Sequence, residues 1–292
     1  MLINNTTQPP ERERERERER TFCKLLNGDC LELLKKIPDS SIDMIATDPP
    51  YLISTTNGGG TVNNIKKLNK SLQDLKTVDI TQGYDIELFG QEFIRVMKEI
   101  NIYFWCNKMQ IYDYLKFYVG KHKCKFDIIC WHKTNALPTY SNKYLSDTEY
   151  LLYFRKGKGK CFPQSYEDAK TYYIAPINHK DKKLYGHPTI KPLDITEKII
   201  RNSSQEQHLI LDPFMGSGTT GIACKHLNRN FIGMELDENY FNMCCISGGI
   251  AEAYYKTTGL DNKKILKTYL PPYLYKCIED IVEKEEKTDD YK

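Results

Sequence analysis

The chain reads as an α/β protein built on a largely parallel, twisted sheet with helices on both faces. Two observations predict this. Short apolar runs repeatedly stop at an acid beside a turn, as in Ile42–Asp48 before Pro49 and Pro50, and His208–Asp212 before Pro213. Between such runs the apolar residues recur at helical spacing, the alternation expected of strand, helix, strand units. With 292 residues, one large α/β core is affordable without a second domain.

Structure is expected to begin near Thr21. Phe22-Cys23-Lys24-Leu25-Leu26 reads as a strand ending at Asn27-Gly28-Asp29-Cys30, and Leu31, Leu33, Leu34 and Ile37 give helical spacing up to Pro38. Asp29 stands at a strand end and also suits a helix N-cap. Asp39-Ser40-Ser41 turns the chain into Ile42-Asp43-Met44-Ile45-Ala46-Thr47-Asp48-Pro49-Pro50-Tyr51. Neither proline can donate to a sheet or continue a helix, so Asp48 is placed at the carboxyl end of a strand. In open α/β sheets that end borders the ligand crevice. A carboxylate, extended backbone and a tyrosine ring together suit a flat heterocycle held by its exocyclic amine.

After Tyr51 the pattern lapses. Ser54 to Gly83, with Gly58-Gly59-Gly60 and four lysines, reads as a long loop, the kind that is functional or disordered in a compact domain. Phe89 to Glu99 has helical spacing, Ile100 to Cys106 is a strand, Ile111 to Tyr118 a helix and Phe126 to Trp131 a strand. Leu151-Leu152-Tyr153-Phe154 is a further apolar run, entered through Asp147-Thr148-Glu149-Tyr150. Arg155 to Lys183 carries eight basic against three acidic residues, interleaved with Tyr166, Tyr172 and Tyr173, a composition that suits nucleic acid. Late in the chain, His208–Asp212 is a strand, Pro213–Gly221 a Gly-rich turn, Ile222–Leu227 the opening of a helix, and Phe231–Glu235 a strand ending in an acid. Gly216, Gly218 and Gly221 satisfy G-x-G-x-x-G, with Glu235 nineteen residues after Gly216. By spacing alone this suits a nicotinamide dinucleotide, whose ribose such an acid holds.

The net charge of +3 is too small to identify a nucleic-acid binder, but its distribution is uneven. Residues Glu279 to Lys292 are net −4, leaving +7 for the rest. Glu11 to Arg20 alternates Glu and Arg, with like charges at i,i+4 and opposite charges at i,i+3, so helical support largely cancels and a solvated arm is expected. Ten cysteines include no Cys-x-x-Cys pair, which points away from a zinc site or a disulfide framework and towards a reducing, cytoplasmic or otherwise intracellular setting. No metal is expected. No apolar run approaches the roughly 20 residues that span a bilayer.

Asp48-Pro49-Pro50-Tyr51 resembles motif IV of the DNA amino-methyltransferases, which methylate the exocyclic nitrogen of adenine or cytosine. Asp212-Pro213-Phe214 with Gly216-Ser217-Gly218-Thr219-Thr220 resembles their motif I, His187-Pro188-Thr189-Ile190-Lys191-Pro192 their motif X, and Asn27-Gly28-Asp29-Cys30 the segment whose acid faces the cofactor's adenine amine. The four occur in the order of the β-type subgroup, with the catalytic half before the cofactor half. The likeness covers about Phe22 to Ile246 and is strongest to small N6-adenine enzymes of bacterial and phage type.

The resemblance implies a Rossmann-like methyltransferase fold with permuted motif order, S-adenosylmethionine as cofactor and DNA as substrate. It implies that Asp48, Pro49, Pro50 and Tyr51 carry the reaction. It places Asp29, Cys30, His187, Thr189, Asp212, Pro213, Phe214, Gly216, Ser217, Gly218, Thr219 and Glu235 around the cofactor, with Lys191 near its methionine carboxylate. The implied organisation is a Glu-Arg arm over 1–20, a methyltransferase domain over 21–249 with recognition segments near 54–83 and 134–183, and an extension over 250–292. Trp131 to Pro138 and Asp147 to Tyr150 fall beside the flipped base. A homodimer and a companion restriction endonuclease are partners to test. N4-cytosine methylation, RNA or protein-amide methylation, an idle nucleic-acid-binding module and a nicotinamide oxidoreductase are the competing readings. The last leaves Asp-Pro-Pro-Tyr without a purpose.

Overall fold

A computed structural model describes residues 21–51, 84–138, 144–157, 160–177, 190–238, 240, 241 and 244. The Glu-Arg arm, the loop over 54–83, the extension over 250–292, and His187 and Thr189 lie outside the described residues. In chain order the elements are β1 (Cys23–Asn27), α1 (Cys30–Leu34), β2 (Met44–Thr47), α2 (Ile86–Val96), β3 (Asn101–Cys106) and α3 (Ile111–Tyr114), which runs on as a π-helical stretch over Leu115–Lys121. There follow β4 (Lys125–Lys133), β5 (Thr148–Arg155), α4 (Tyr166–Ala169), β6 (Tyr172–Ala175), α5 (Leu193–Ser203), β7 (Leu209–Asp212), α6 (Thr219–His226) and β8 (Asn230–Glu235).

The strands form one sheet in the order β1-β8-β7-β2-β3-β5-β4-β6. From β1 to β3 every pairing is parallel; β5 is antiparallel to β3 and β4, and β6 returns parallel to β4. The expected largely parallel sheet is therefore present, with an antiparallel section on the β3 side. Strands β2, β3 and β7 are buried along their whole length, which is why they read as unbroken apolar runs rather than as alternating ones.

Because successive side chains in a strand point to opposite faces, each strand feeds two cores. Ile45, Ile102, Phe104 and Leu211 pack on one face with Phe93 and Val96 of α2 and with Tyr114, Phe117 and Tyr118. Met44, Ala46, Tyr103, Trp105 and Ile210 pack on the other with Ile195, Ile199 and Ile200 of α5 and Ala223 and Cys224 of α6. Helices thus cover both faces. The carboxyl end of α1 is tied to α2 by Arg95, whose guanidinium donates to the Leu34 and Ile37 carbonyls at 2.7 and 2.9 Å, satisfying acceptors that a helix end leaves open.

Three features fall outside what periodicity foretold. The edge strand β6 lies within the Lys- and Tyr-rich segment, α5 follows the prolines of 188–192, and the expected Ile111–Tyr118 helix widens into π geometry at Leu115. The two strands at the centre of the parallel section, β7 and β2, are far apart in sequence, and both end in an aspartate or its immediate neighbour.

Candidate active site

The parallel strands β1, β8, β7, β2 and β3 deliver their carboxyl ends to one cavity of about 890 Å³. Asp48, Pro49, Pro50 and Tyr51 line it, as do Asp29, Cys30 and Lys191. The Gly-rich turn contributes Asp212, Pro213, Phe214, Gly216, Ser217 and Thr219, and β8 contributes Glu235. Gly218 is absent from the lining: with φ of 79° it occupies the left-handed conformation that turns the loop into α6, a role that suits a residue without a Cβ.

Where β1 and β8 end, the acids are organised by backbone. Asp29 Oδ1 accepts from the N–H groups of Leu31 and Glu32 at 2.9 and 3.1 Å, so the N-cap role is real and coexists with a place in the cavity. Glu235 Oε2 accepts from the Gly216 N–H, and Oε1 from the Asp237 N–H, both at 2.9 Å. Burial raises the Glu235 pKa while these two N–H groups oppose the rise. The Gly28 N–H and the Asn27 amide both donate to the Glu235 carbonyl, at 3.0 and 2.9 Å, locking the ends of β1 and β8 together. Tyr84, Phe89 and Phe214 form an aromatic wall with centroid separations of 5.1 to 5.7 Å. Burial pushes the Cys30 thiol up to about 12, so it is neutral at physiological pH.

Asp212 has a different occupation from the other acids. It is buried, its Oδ1 and Oδ2 accept from Thr47 Oγ1 and Thr220 Oγ1 at 2.6 Å each, and the Phe214 N–H reaches Oδ1 at 3.2 Å. The side chain therefore joins the end of β2 to the start of α6. Burial drives its pKa to about 7, against the pull of the Thr220, Thr47 and Phe214 hydrogen bonds.

Where β2 ends, Asp48 Oδ2 accepts from Lys191 Nζ at 2.5 Å, while Oδ1 is buried with no hydrogen-bond partner among the described residues. Burial raises the Asp48 pKa and Lys191 counteracts part of the rise. Lys191 is buried, 3.3 Å from Glu149 Oε2, and its ammonium lies 5.1 Å from the Tyr51 ring centroid and 5.5 Å from that of Trp105. Burial lowers the Lys191 pKa but Asp48 and Glu149 more than offset it, so the ammonium stays charged. Tyr51 donates its hydroxyl to Glu149 Oε2 at 3.3 Å, and Lys133 pairs with Glu149 Oε1. Burial pushes the Glu149 pKa up, yet Lys191 and Lys133 overcome it and hold the group at about 2. The Pro50 carbonyl accepts from the Gln110 amide at 3.0 Å, fixing the extended turn.

The structure thus gathers Asp29, Asp48, Tyr51, Lys191, the Gly-rich turn and Glu235 at one cavity. It puts the Lys191 ammonium on Asp48 and Glu149. Tyr84, Trp105 and Thr196 also line the cavity although no sequence motif points to them, and Glu149 lines it from within the segment Asp147–Tyr150. Trp105 had a usable signal, since it precedes the last residue of a central strand. Among the described residues no group of His, Cys, Asp and Glu is arranged to hold a metal ion, and no helix is long and apolar enough to cross a membrane.

The neighbours of this architecture are consistent with one another. The solved structure of M1.HpyAVI in complex with SAM aligns with a TM-score of 0.54 and 26% identity, covering 76% of this chain and 98% of that one. The cytosine-N4-specific PvuII DNA methyltransferase aligns with a TM-score of 0.59 over 86% of this chain and 93% of its own, and at 17% identity it attests the fold alone. In sequence, the type II methyltransferase M2.LlaDCHI of Lactococcus lactis subsp. cremoris is 31% identical over 237 residues, covering 75% of this chain and 86% of the relative. M2.DpnII of Streptococcus pneumoniae is 31% identical over 240 residues, with 75% and 87% covered. The N6/N4 methyltransferase family model, described as DNA methylase, matches residues 42–245. The chain belongs to the DNA methylase family, and its Rossmann-like fold is that of a DNA methyltransferase.

Proposed function

We propose that this enzyme uses S-adenosylmethionine to methylate the exocyclic N6 of adenine in DNA, with Asp48 accepting the base amine. The observation that carries this reading is the half-satisfied Asp48 carboxylate: Lys191 occupies Oδ2, and among the described residues Oδ1 has no donor. A buried acceptor without a partner is unfavourable and is relieved by an arriving N–H group.

The cavity's residues fit the cofactor. Asp29 and Glu235 would take its polar adenosine groups, since both N-cap bonds of Asp29 fall on Oδ1 and leave Oδ2 to accept, and each Glu235 oxygen that accepts one N–H keeps a lone pair for another. Phe214, Tyr84 and Phe89 provide an apolar flank, and Gly216, Ser217 and Thr219 let the backbone approach closely. When bound, S-adenosylmethionine supplies an electrophilic methyl group on a sulfonium centre.

The chain's own contribution follows from the amine's chemistry. Its lone pair is delocalised into the ring, so Asp48 Oδ1 and the Pro49 carbonyl would each accept an N–H and help the nitrogen rehybridise. These hydrogen bonds strengthen as positive charge grows on nitrogen, and so favour the transition state over the ground state. Asp48 then takes the surplus proton from N6, a transfer favoured by the rise that burial gives its pKa. Lys191 keeps the carboxylate ionised until that moment. Tyr51 offers its ring to the base, which has to leave the duplex stack to be reached. The Cys106 thiol beside Asp48 is pushed up by burial and stays protonated, so it is no nucleophile.

The type II designation of the curated relatives supports a companion restriction endonuclease, and the family likeness supports a homodimer inside the cell. Both are checked by affinity isolation from the native host and by light scattering of the purified chain. The reaction itself is tested by digesting protein-treated DNA to nucleosides for mass spectrometry. N6-methyladenine that requires S-adenosylmethionine is the expected product. N4-methylcytosine would overturn the base assignment, and no methylated base on mixed-sequence single- or double-stranded DNA would overturn the substrate.

A further inference from the structure

Glu149 sits near the start of β5, in the antiparallel section, where it pairs with Trp131 of β4. Its carboxylate is met by groups from three parts of the chain. Lys133, at the end of β4, pairs with Oε1; the Tyr51 hydroxyl donates to Oε2 at 3.3 Å; and Lys191 Nζ lies 3.3 Å from the same oxygen. Lys191 also bonds Asp48 Oδ2 at 2.5 Å. Two ammonium groups and two carboxylates therefore form one neutral cluster, with the side chains of Lys191, Glu149 and Asp48 only 7%, 19% and 22% exposed.

An ammonium on a flexible stem has three donors and no directional preference of its own. Facing Asp48 alone, it would draw both carboxylate oxygens and compete with any other donor. Bonded to Asp48 and 3.3 Å from Glu149, it is shared, and among the described residues it engages only Oδ2 of Asp48. The same Glu149 oxygen holds the hydroxyl of Tyr51, the ring against which the base is to rest.

We propose that Glu149 is a positioning residue of the methyl transfer: by sharing Lys191 with Asp48 and holding the Tyr51 hydroxyl, it confines Lys191 to one oxygen and leaves the buried Oδ1 without a donor until the base amine supplies one. This rests on the reading of Asp48 as the acceptor of that amine. Glu149 itself need not touch the substrate.

The test compares wild type, Glu149→Gln, Lys191→Met and the double variant in single-turnover methylation across pH, with S-adenosylmethionine affinity measured by calorimetry and folding by thermal melting. Glu149→Gln is expected to lose about 10-fold in rate, a change of ~1.4 kcal/mol in barrier, with KM for DNA and cofactor affinity within about threefold of wild type. The acid limb of the rate profile adds a signature that a merely structural role would not give. The groups facing Asp48 are Lys191, Glu149, Tyr51, Cys106 from β3 and Asp212 from β7. Removing the negative charge of Glu149 moves the limb to lower pH, and removing the positive charge of Lys191 moves it to higher pH. Because Glu149 acts largely through Lys191, with Tyr51 as its second contact, the double variant is expected to be slower than Lys191→Met by less than the factor that Glu149→Gln costs alone.

A Glu149→Gln enzyme with wild-type rate and an unmoved acid limb overturns the proposal, as do losses that multiply in the double variant. If Glu149→Gln does not fold, Glu149→Asp decides: a slower enzyme with the limb in place supports the role of the charge, and a limb displaced as far as in Lys191→Met refutes it. A wild-type protein that methylates no DNA would instead defeat the reading of Asp48, so the two failures are told apart.

Discussion

Replacing Asp212 by Asn should remove a pH dependence of stability that the wild-type protein carries. Asp212 is 3% exposed, and burial holds its pKa at about 7 in the folded state, against ~3.9 in an unfolded chain. Between those values the native state binds one proton more than the unfolded state, so its stability falls as pH rises and levels off once pH passes 7. From pH 5 to pH 8 the fall covers about two pK units, or roughly 2.7 kcal/mol at ~1.36 kcal/mol per unit. An Asn of the same shape carries no titrating proton and loses this slope. Its amide nitrogen would face one threonine hydroxyl, Thr47 or Thr220, which can rotate to accept. Any uniform offset in stability is therefore separate from the slope. The assay is urea unfolding of both proteins at pH 5, 6, 7 and 8, taking the difference between their pH trends so that groups common to both cancel. A trend in Asp212→Asn matching wild type to within ~0.5 kcal/mol would refute the reasoning, and with it the picture of Asp212 as a proton-bearing clasp between β2 and α6.

Three further outcomes follow from the geometry. Asp48→Ala should lower the single-turnover rate by about 10³-fold or more, in line with loss of an electrostatic anchor for the transition state, while calorimetry finds S-adenosylmethionine still bound; substantial residual activity would remove Asp48 from the reaction. Tyr51→Phe gives up the hydroxyl bond to Glu149, worth ~1 kcal/mol, whereas Tyr51→Ala also forfeits base stacking of about 1–3 kcal/mol, so rates should fall in that order and equal losses would assign the whole effect to the hydroxyl. A Cβ on Gly233 would lie 2.5 Å from Met215 Sδ and 2.8 Å from the Phe231 ring; Gly233→Ala should therefore cost roughly 1–3 kcal/mol in urea unfolding through overpacking, and an unchanged midpoint would contradict the tight seat of the Gly-rich turn on β8.

What the sequence determined by itself was local. Unbroken apolar runs marked β2, β3 and β7, because a strand buried on both faces has no solvent side to alternate with. Pro49 and Pro50 ended β2 two residues after its last ladder position, and the glycines of 216–218 marked a turn that only small residues can make. Those signals sufficed to name the carboxyl ends that carry Asp29, Asp48, Asp212 and Glu235. Which side chains meet there was decided by tertiary structure. Thr47 and Asp212 are 165 residues apart in sequence and bond only because β7 inserts between β8 and β2. Lys191 reaches Asp48 across 143 residues, and Glu149 arrives from an antiparallel strand whose pairing partner no local pattern specifies. Periodicity and turn chemistry act over a few residues, whereas hydrogen bonds between distant side chains depend on strand order and register, which are settled when the two cores close around the sheet.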